Sequence, residues 1–287
     1  MALLLAISKG GDWGWDSGRV GGLFGVAAAV LLAWGWWELR HTAPLVDLRV
    51  TAGRQVLLTN LASAVFGFAM FAMSLVLPQL LQLPKATGYG LGQSMLAAGP
   101  VLGPSGLVMM AFAPLSARIS KTRGPKVTLM LGAVVVAAGY ALGVMLMSAV
   151  WQLVLVSSVI GAGIGLAYGA MPTLIMSAVP VSETAAANSL NTLMRTIGTS
   201  ISSAVAGVIL AQLTTGFGPV TLPSQNGFRV VLAIGAAAAL VALAAFLPAG
   251  VRSHPKARRF VRLPGRGADH DPCPVGGLGG GWRGGRV

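Results

Sequence analysis

The chain has 287 residues, 55% of them hydrophobic and only 9% charged, with 20 Lys and Arg against 7 Asp and Glu for a formal net charge of +13. A soluble domain carries about 25% charged residues and cannot hide so much apolar surface, so a water-soluble fold is excluded. The cations lie between apolar runs and in the tail, which is the pattern of membrane topology rather than of nucleic-acid binding, and the one cysteine, Cys273, allows no disulfide framework or Cys/His metal cluster.

The chain opens on "MALLLAIS", which lacks the basic region and cleavage site of a signal peptide. Its eight residues cover only about 12 Å as a helix and read as the end of a longer one. Seven complete spanning segments follow, at about 20–37, 57–80, 92–117, 126–148, 151–178, 184–213 and 228–250. Each meets the roughly 17–25 apolar residues that a spanning helix needs, and lipid offers the backbone no partner outside a helix. The runs are long and uniformly apolar, unlike the short alternating segments of a β-barrel. An all-α membrane protein is therefore expected.

Several segments carry features beyond hydrophobicity. In 57–80, Phe66, Met70 and Met73 recur at i, i+4, i+7 with Gln79 beyond, a polarizable face that suits either an adaptable apolar pocket or a neighbouring helix. In 92–117, Pro100 and Pro104 each remove a backbone bond and predict a bend. The stretch "ARISKTRGPK" then places Arg118, Lys121, Arg123 and Lys126 around Gly124-Pro125, a tight turn before the next helix. In 151–178, Gly161, Gly165 and Gly169 form a small-xxx-small face that lets another backbone approach. Ser182 is a candidate cap for 184–213, with Glu183 in its first turn. Along that helix Asn188, Asn191, Arg195 and Thr199 fall at i, i+3, i+7, i+11, one polar stripe. Such a stripe faces a watery cavity, or else the arginine snorkels to headgroups while the asparagines join helices. The segment 251–287 is rich in Gly and Arg and is expected to be a disordered tail.

Charge sets the orientation. Eight cations from Arg252 to Arg286 place the tail in the cytoplasm. Counting back, the loops at 118–126 and 38–56 are cytoplasmic, while those at 81–91 and 214–227 are external and hold only Lys85. None of the acidic residues and none of the three histidines lies inside a predicted helix core. A membrane-embedded hydrolase needs a base beside its nucleophile, so no enzyme, catalytic residue, cofactor or metal is expected.

The 117–126 stretch resembles the loop motif of the major facilitator superfamily, Gly-x-Leu-Ala-Asp-Arg-x-Gly-Arg-Arg. Gly124 and Lys126 match, whereas the acid and its arginine are replaced by Lys121 and Thr122. More of the chain is similar in order: "SKGGDWGWDS", "WELRHTAPLVDLRV", "LPQLLQL", "APLSARISKTRGPKVTLMLGA" and "SAVPVSETAAANSLNTLMRTIGTSISSAVAG". Together these resemble the second half of the fourteen-helix drug:proton antiporters of that superfamily, over residues 1–250. The spacing Gly99-xxx-Gly103-Pro104 is also similar to the superfamily's antiporter signature, although that signature belongs to a helix of the other half.

The resemblance implies a carboxy-terminal six-helix bundle over 57–250, preceded by a linker helix at 20–37 and the stump of another. It implies that 57–80, 92–117, 151–178 and 184–213 surround the cavity while 126–148 and 228–250 face lipid. The amino-terminal bundle, with its membrane carboxylates, is not in this sequence. The implied activity is efflux of amphipathic compounds, cations among them, by proton antiport across the plasma (inner) membrane. This chain is then a half that needs a partner bundle. An exporter of an endogenous metabolite, a partner-binding membrane module and a gene fragment remain alternatives.

Overall fold

The computed structural model describes residues 5–6, 10, 13–14, 16–40, 53–217 and 220–246. The expected stump at 1–8 lies mostly outside these residues, as do most of the 38–56 loop, the end of the last predicted span and the 251–287 tail. Seven long helices are present among the described residues: α1 (Gly18–Arg40), α2 (Arg54–Gln82), α3 (Met95–Arg123), α4 (Pro125–Met145), α5 (Val150–Met176), α6 (Thr184–Gln212) and α7 (Gln225–Phe246). The six from α2 to α7 are long and apolar enough to cross a membrane. They form an all-α membrane bundle. The apolar run in α1 is shorter, Gly18–Ala33.

Two helices form the middle of the bundle. In α5 every residue from Ile160 to Ala167 is buried, and α2 buries a similar stripe from Val56 to Leu81. The second helix of each three-helix half packs on the first helix of the other half: α3 on α5, and α6 on α2. The third helices, α4 and α7, pack on each other and on the central pair. As a result α3 and α6 keep most of their surface open, and α3 buries only Ala98, Ser105 and Ser116.

Glycine makes these contacts possible. A Cβ on Gly161 would lie 2.6 Å from the Ser105 carbonyl oxygen, one on Gly165 would lie 2.5 Å from that of Met109, and one on Gly169 would lie 2.6 Å from Ser116 Oγ. The expected small-residue face of α5 is thus the seat of α3. Lipid tails are as apolar as the side chains, so close backbone approach rather than hydrophobicity holds such pairs together. Tyr140 locks the other side. It is fully buried, its hydroxyl donates to the Ala69 carbonyl of α2, and its ring lies against Gly235 of α7.

The structure corrects three local expectations. The "ARISKTRGPK" stretch is mostly helix, since Arg118, Lys121 and Arg123 sit on the last turns of α3 and the turn is Gly124 alone, at φ +92°. Alanine, arginine and lysine are good helix formers, and cations suit the negative end of the helix dipole. Ser182 does not cap α6. It lies in a short 3-10 turn, Val181–Glu183, and Glu183 is the residue before the helix.

The third correction concerns the 214–227 loop, which contains a hairpin of β1 (Thr214–Phe217) and β2 (Val220–Pro223) in antiparallel register. Its base is closed by Ser224 N–H donating to the Leu213 carbonyl at 2.7 Å. Four-residue strands leave too little alternation to detect in a sequence.

At the same end of the bundle the 83–94 segment folds back on α2. The backbone N–H groups of Leu91, Gly92 and Gln93 donate to carbonyls of Leu80, Leu83 and Leu81, which supplies the partners that a helix C-terminus otherwise lacks. The Tyr89 hydroxyl donates to the Pro223 carbonyl and joins this segment to the hairpin. Burial pushes the Tyr89 phenol above its usual range, so it stays a donor at physiological pH.

Candidate functional site

The open face of α6, with the parts of α2 and α5 beside it, holds the polar chemistry of the bundle. Two glycines bring α6 against α2. A Cβ on Gly67 would lie 2.3 Å from the Arg195 carbonyl oxygen, and one on Gly198 would lie 1.9 Å from that of Ala64. Toward the N-terminal ends of α2 and α6 from this contact lies a buried polar cluster. Asn191 Nδ2 donates to Asn60 Oδ1 at 3.1 Å and to the Thr59 carbonyl at 3.4 Å. The Ser63 hydroxyl donates to Asn191 Oδ1 at 2.8 Å, with Met171 Sδ of α5 at 3.1 Å. Buried amides of this kind hold helices in register, because each needs its partner.

Arg195 lies one turn further on and faces outward. Its position is about 17 Å into α6 at roughly 1.5 Å per residue, near the middle of the span. Its guanidinium carbon sits 4.9 Å from the ring centroid of Tyr168 on α5, a cation–π pair. The Tyr168 hydroxyl lies 3.8 Å from Met70 Sδ on α2, and Met70 is 39% exposed. Three helices therefore contribute one side chain each to a half-open surface. Thr192 and Thr196 continue it, exposed, each donating its hydroxyl to a carbonyl one turn back in α6.

The eight residues expected at a cavity separate into four places. Met70, Arg195, Asn188 and Thr199 lie on or beside the open face, with Asn188 and Thr199 bonded to carbonyls of their own helix. Asn191 is in the buried α2–α6 cluster. Phe66 is 1% exposed within the core, against Leu129 of α4 and Phe246 of α7, and Met73 packs half-buried against the same core. Gln79 lines a separate open cleft of about 340 Å3 at the hairpin end, with Gln82, Pro223 and Phe228.

Gly99 and Gly103 look away from the bundle with nothing near them, and Pro100 and Pro104 lie within α3, which continues through both. Arg118, Lys121 and Arg123 are exposed at the α3 end. Arg54 acts electrostatically on Lys126, so the start of α2 shares that end. Tyr168, Gly67, Gly198, Asn60 and Ser63 were not singled out from sequence. Tyr168 was the most detectable, being one of only three tyrosines.

A profile describing the Major Facilitator Superfamily matches residues 2–203. The chain belongs to the Major Facilitator Superfamily. Members of this superfamily are membrane transporters rather than enzymes, so the six-helix bundle is part of an integral, multi-pass membrane protein of a transporter family. Among its relatives, Multidrug resistance protein Stp of Mycobacterium tuberculosis is 26% identical over 211 residues, which cover 73% of this chain and 38% of the relative. Multidrug resistance protein B homolog of the same species is 28% identical over 188 residues, 63% of this chain and 33% of the relative. Multidrug transporter protein MdtP of Bacillus subtilis is 24% identical over 214 residues, 73% and 38% respectively. The matched part of this superfamily chain thus spans between a third and two-fifths of their length.

Proposed function

We infer that this bundle is the carboxy-terminal half of a carrier that exports amphipathic, drug-like compounds by proton antiport. In this reading it works opposite an amino-terminal bundle that supplies the other wall and the titrating carboxylates, and α1 is a linker helix. The carrying observation is the guanidinium of Arg195 over the Tyr168 ring on a face that this bundle leaves open. A charge at membrane depth is costly, and it is kept where it meets a substrate or a water-filled path. Alternating access rocks one bundle against the other around a site near the midplane, the depth at which Arg195 lies. The printed names of the relatives, multidrug resistance and multidrug transporter proteins, favour a drug-like cargo.

A cysteine placed on this face tests the reading. In the full native carrier with Cys273→Ser, Thr196→Cys is expected to react with a membrane-impermeant maleimide, and bound substrate should slow that reaction. Reaction only with a lipid-soluble reagent would place the face against lipid instead.

The orientation is part of the proposal. The end bearing Arg54, Arg118, Lys121, Arg123 and Lys126 is cytoplasmic, and the end bearing Lys85 and Arg229 is external in the plasma (inner) membrane. Ser120→Cys should be labelled only after cells are permeabilised. Labelling in intact cells would reverse the topology.

A further inference from the structure

We propose that the Tyr168–Arg195 position is an anion-accepting subsite, and that compounds taken up on this face carry a carboxylate, sulfonate or phosphate rather than a cationic head. This rests on reading the face as substrate-lining.

Arg195 is the only charged side chain within α6. Of the acids among the described residues, Asp16 and Glu183 form no ion pair with it. Glu183 precedes it by twelve positions, about 18 Å along the helix at roughly 1.5 Å per residue. A guanidinium presents five N–H donors in a planar fork. Tyr168 engages it, and no other acceptor among the described residues does so. The hydroxyls of Thr192 and Thr196 spend their hydrogens on carbonyls of α6, so the charged fork is the main free donor on the face.

A carboxylate, sulfonate or phosphate matches that fork with two parallel bonds. A cationic head would meet a like charge where water is scarce, and there repulsion is stronger than in solution. Met70, 39% exposed and beside the Tyr168 hydroxyl, supplies apolar contact for the rest of an amphipathic molecule. A stacked arginine keeps its geometry when the ligand leaves, because Tyr168 holds it from one side.

The test is transport by the full native carrier in proteoliposomes under an imposed pH gradient, with anionic fluorescein and cationic rhodamine 6G as probes. The wild type should move fluorescein faster. Arg195→Gln should cut the fluorescein rate about tenfold or more and lower the ratio of fluorescein to rhodamine 6G transport at least as far, since a charge-assisted bond is lost to one dye and a repulsion is lifted from the other. Arg195→Lys keeps the charge and should keep the preference, which separates charge from folding. Faster rhodamine 6G transport by the wild type, or equal loss of both dyes in Arg195→Gln, overturns the anion subsite and leaves export standing. Transport of neither dye by the wild type overturns the export reading and the subsite with it.

Discussion

Gly198→Ala is expected to lower the thermal stability of the purified bundle sharply, while Gly207→Ala on the same helix raises it slightly. Both glycines lie inside α6, where alanine is intrinsically better by about 1 kcal/mol. At Gly207 nothing lies within 4 Å of the added Cβ, so that gain is realised. At Gly198 the same atom would stand 1.9 Å from the backbone carbonyl of Ala64. A backbone oxygen cannot rotate away, so α6 must move off α2. Overpacking of this kind costs roughly 1–3 kcal/mol and occasionally more. The shift would also lengthen the bonds of Asn191 to Asn60 and Thr59, now 3.1 and 3.4 Å, and leave buried amides unpaired. Together these outweigh the helix-propensity gain. Thermal unfolding in detergent, followed by intrinsic fluorescence, measures the difference. Equal Tm shifts at the two positions would mean that α6 does not sit on α2 through Gly198.

Much of the fold was legible because hydrophobic length is a strong signal. The six helices α2–α7 lie where apolar runs of sufficient length occur, and the α5 glycines mark the α3 contact by their spacing alone. Helix ends were less legible. Apolarity stops at Ala117, yet α3 runs on to Arg123, because charged residues favour helix as much as apolar ones do. The hairpin was missed because its strands are short.

The site was legible only in part. Periodicity placed Asn188, Asn191, Arg195 and Thr199 on one stripe, but the stripe straddles a contact edge. Asn191 turns into the α2–α6 interface while Arg195 turns out of it. About 100° separates adjacent residues on a helix, and which side of such an edge each falls on depends on where the neighbour sits. Phe66 shares its helical spacing with Met70 and still ends in the core for the same reason. Tyr168 needed the tertiary structure altogether, since nothing in α5 points to a partner on α6.

Arg195→Ala carries the largest expected effect on transport. It removes the cation–π contact, worth about 0.5–2 kcal/mol, and the charge-assisted bond offered to a substrate, worth about 1.5–3 kcal/mol. The cation–π contact is internal to the protein, so the substrate bond alone sets the expected loss, at least about tenfold. Folding should change little, because the side chain lies outside the core and the α2–α6 contact depends on Gly67, Gly198 and Asn191. An arginine that merely reached to headgroups would give no such loss. The deciding measurement is the initial efflux rate, per inserted carrier, of whichever test dye the full native protein moves faster, compared between wild type and Arg195→Ala. A rate at least about tenfold lower at equal membrane insertion is expected if this face lines the transport path, and an unchanged rate would show that it does not.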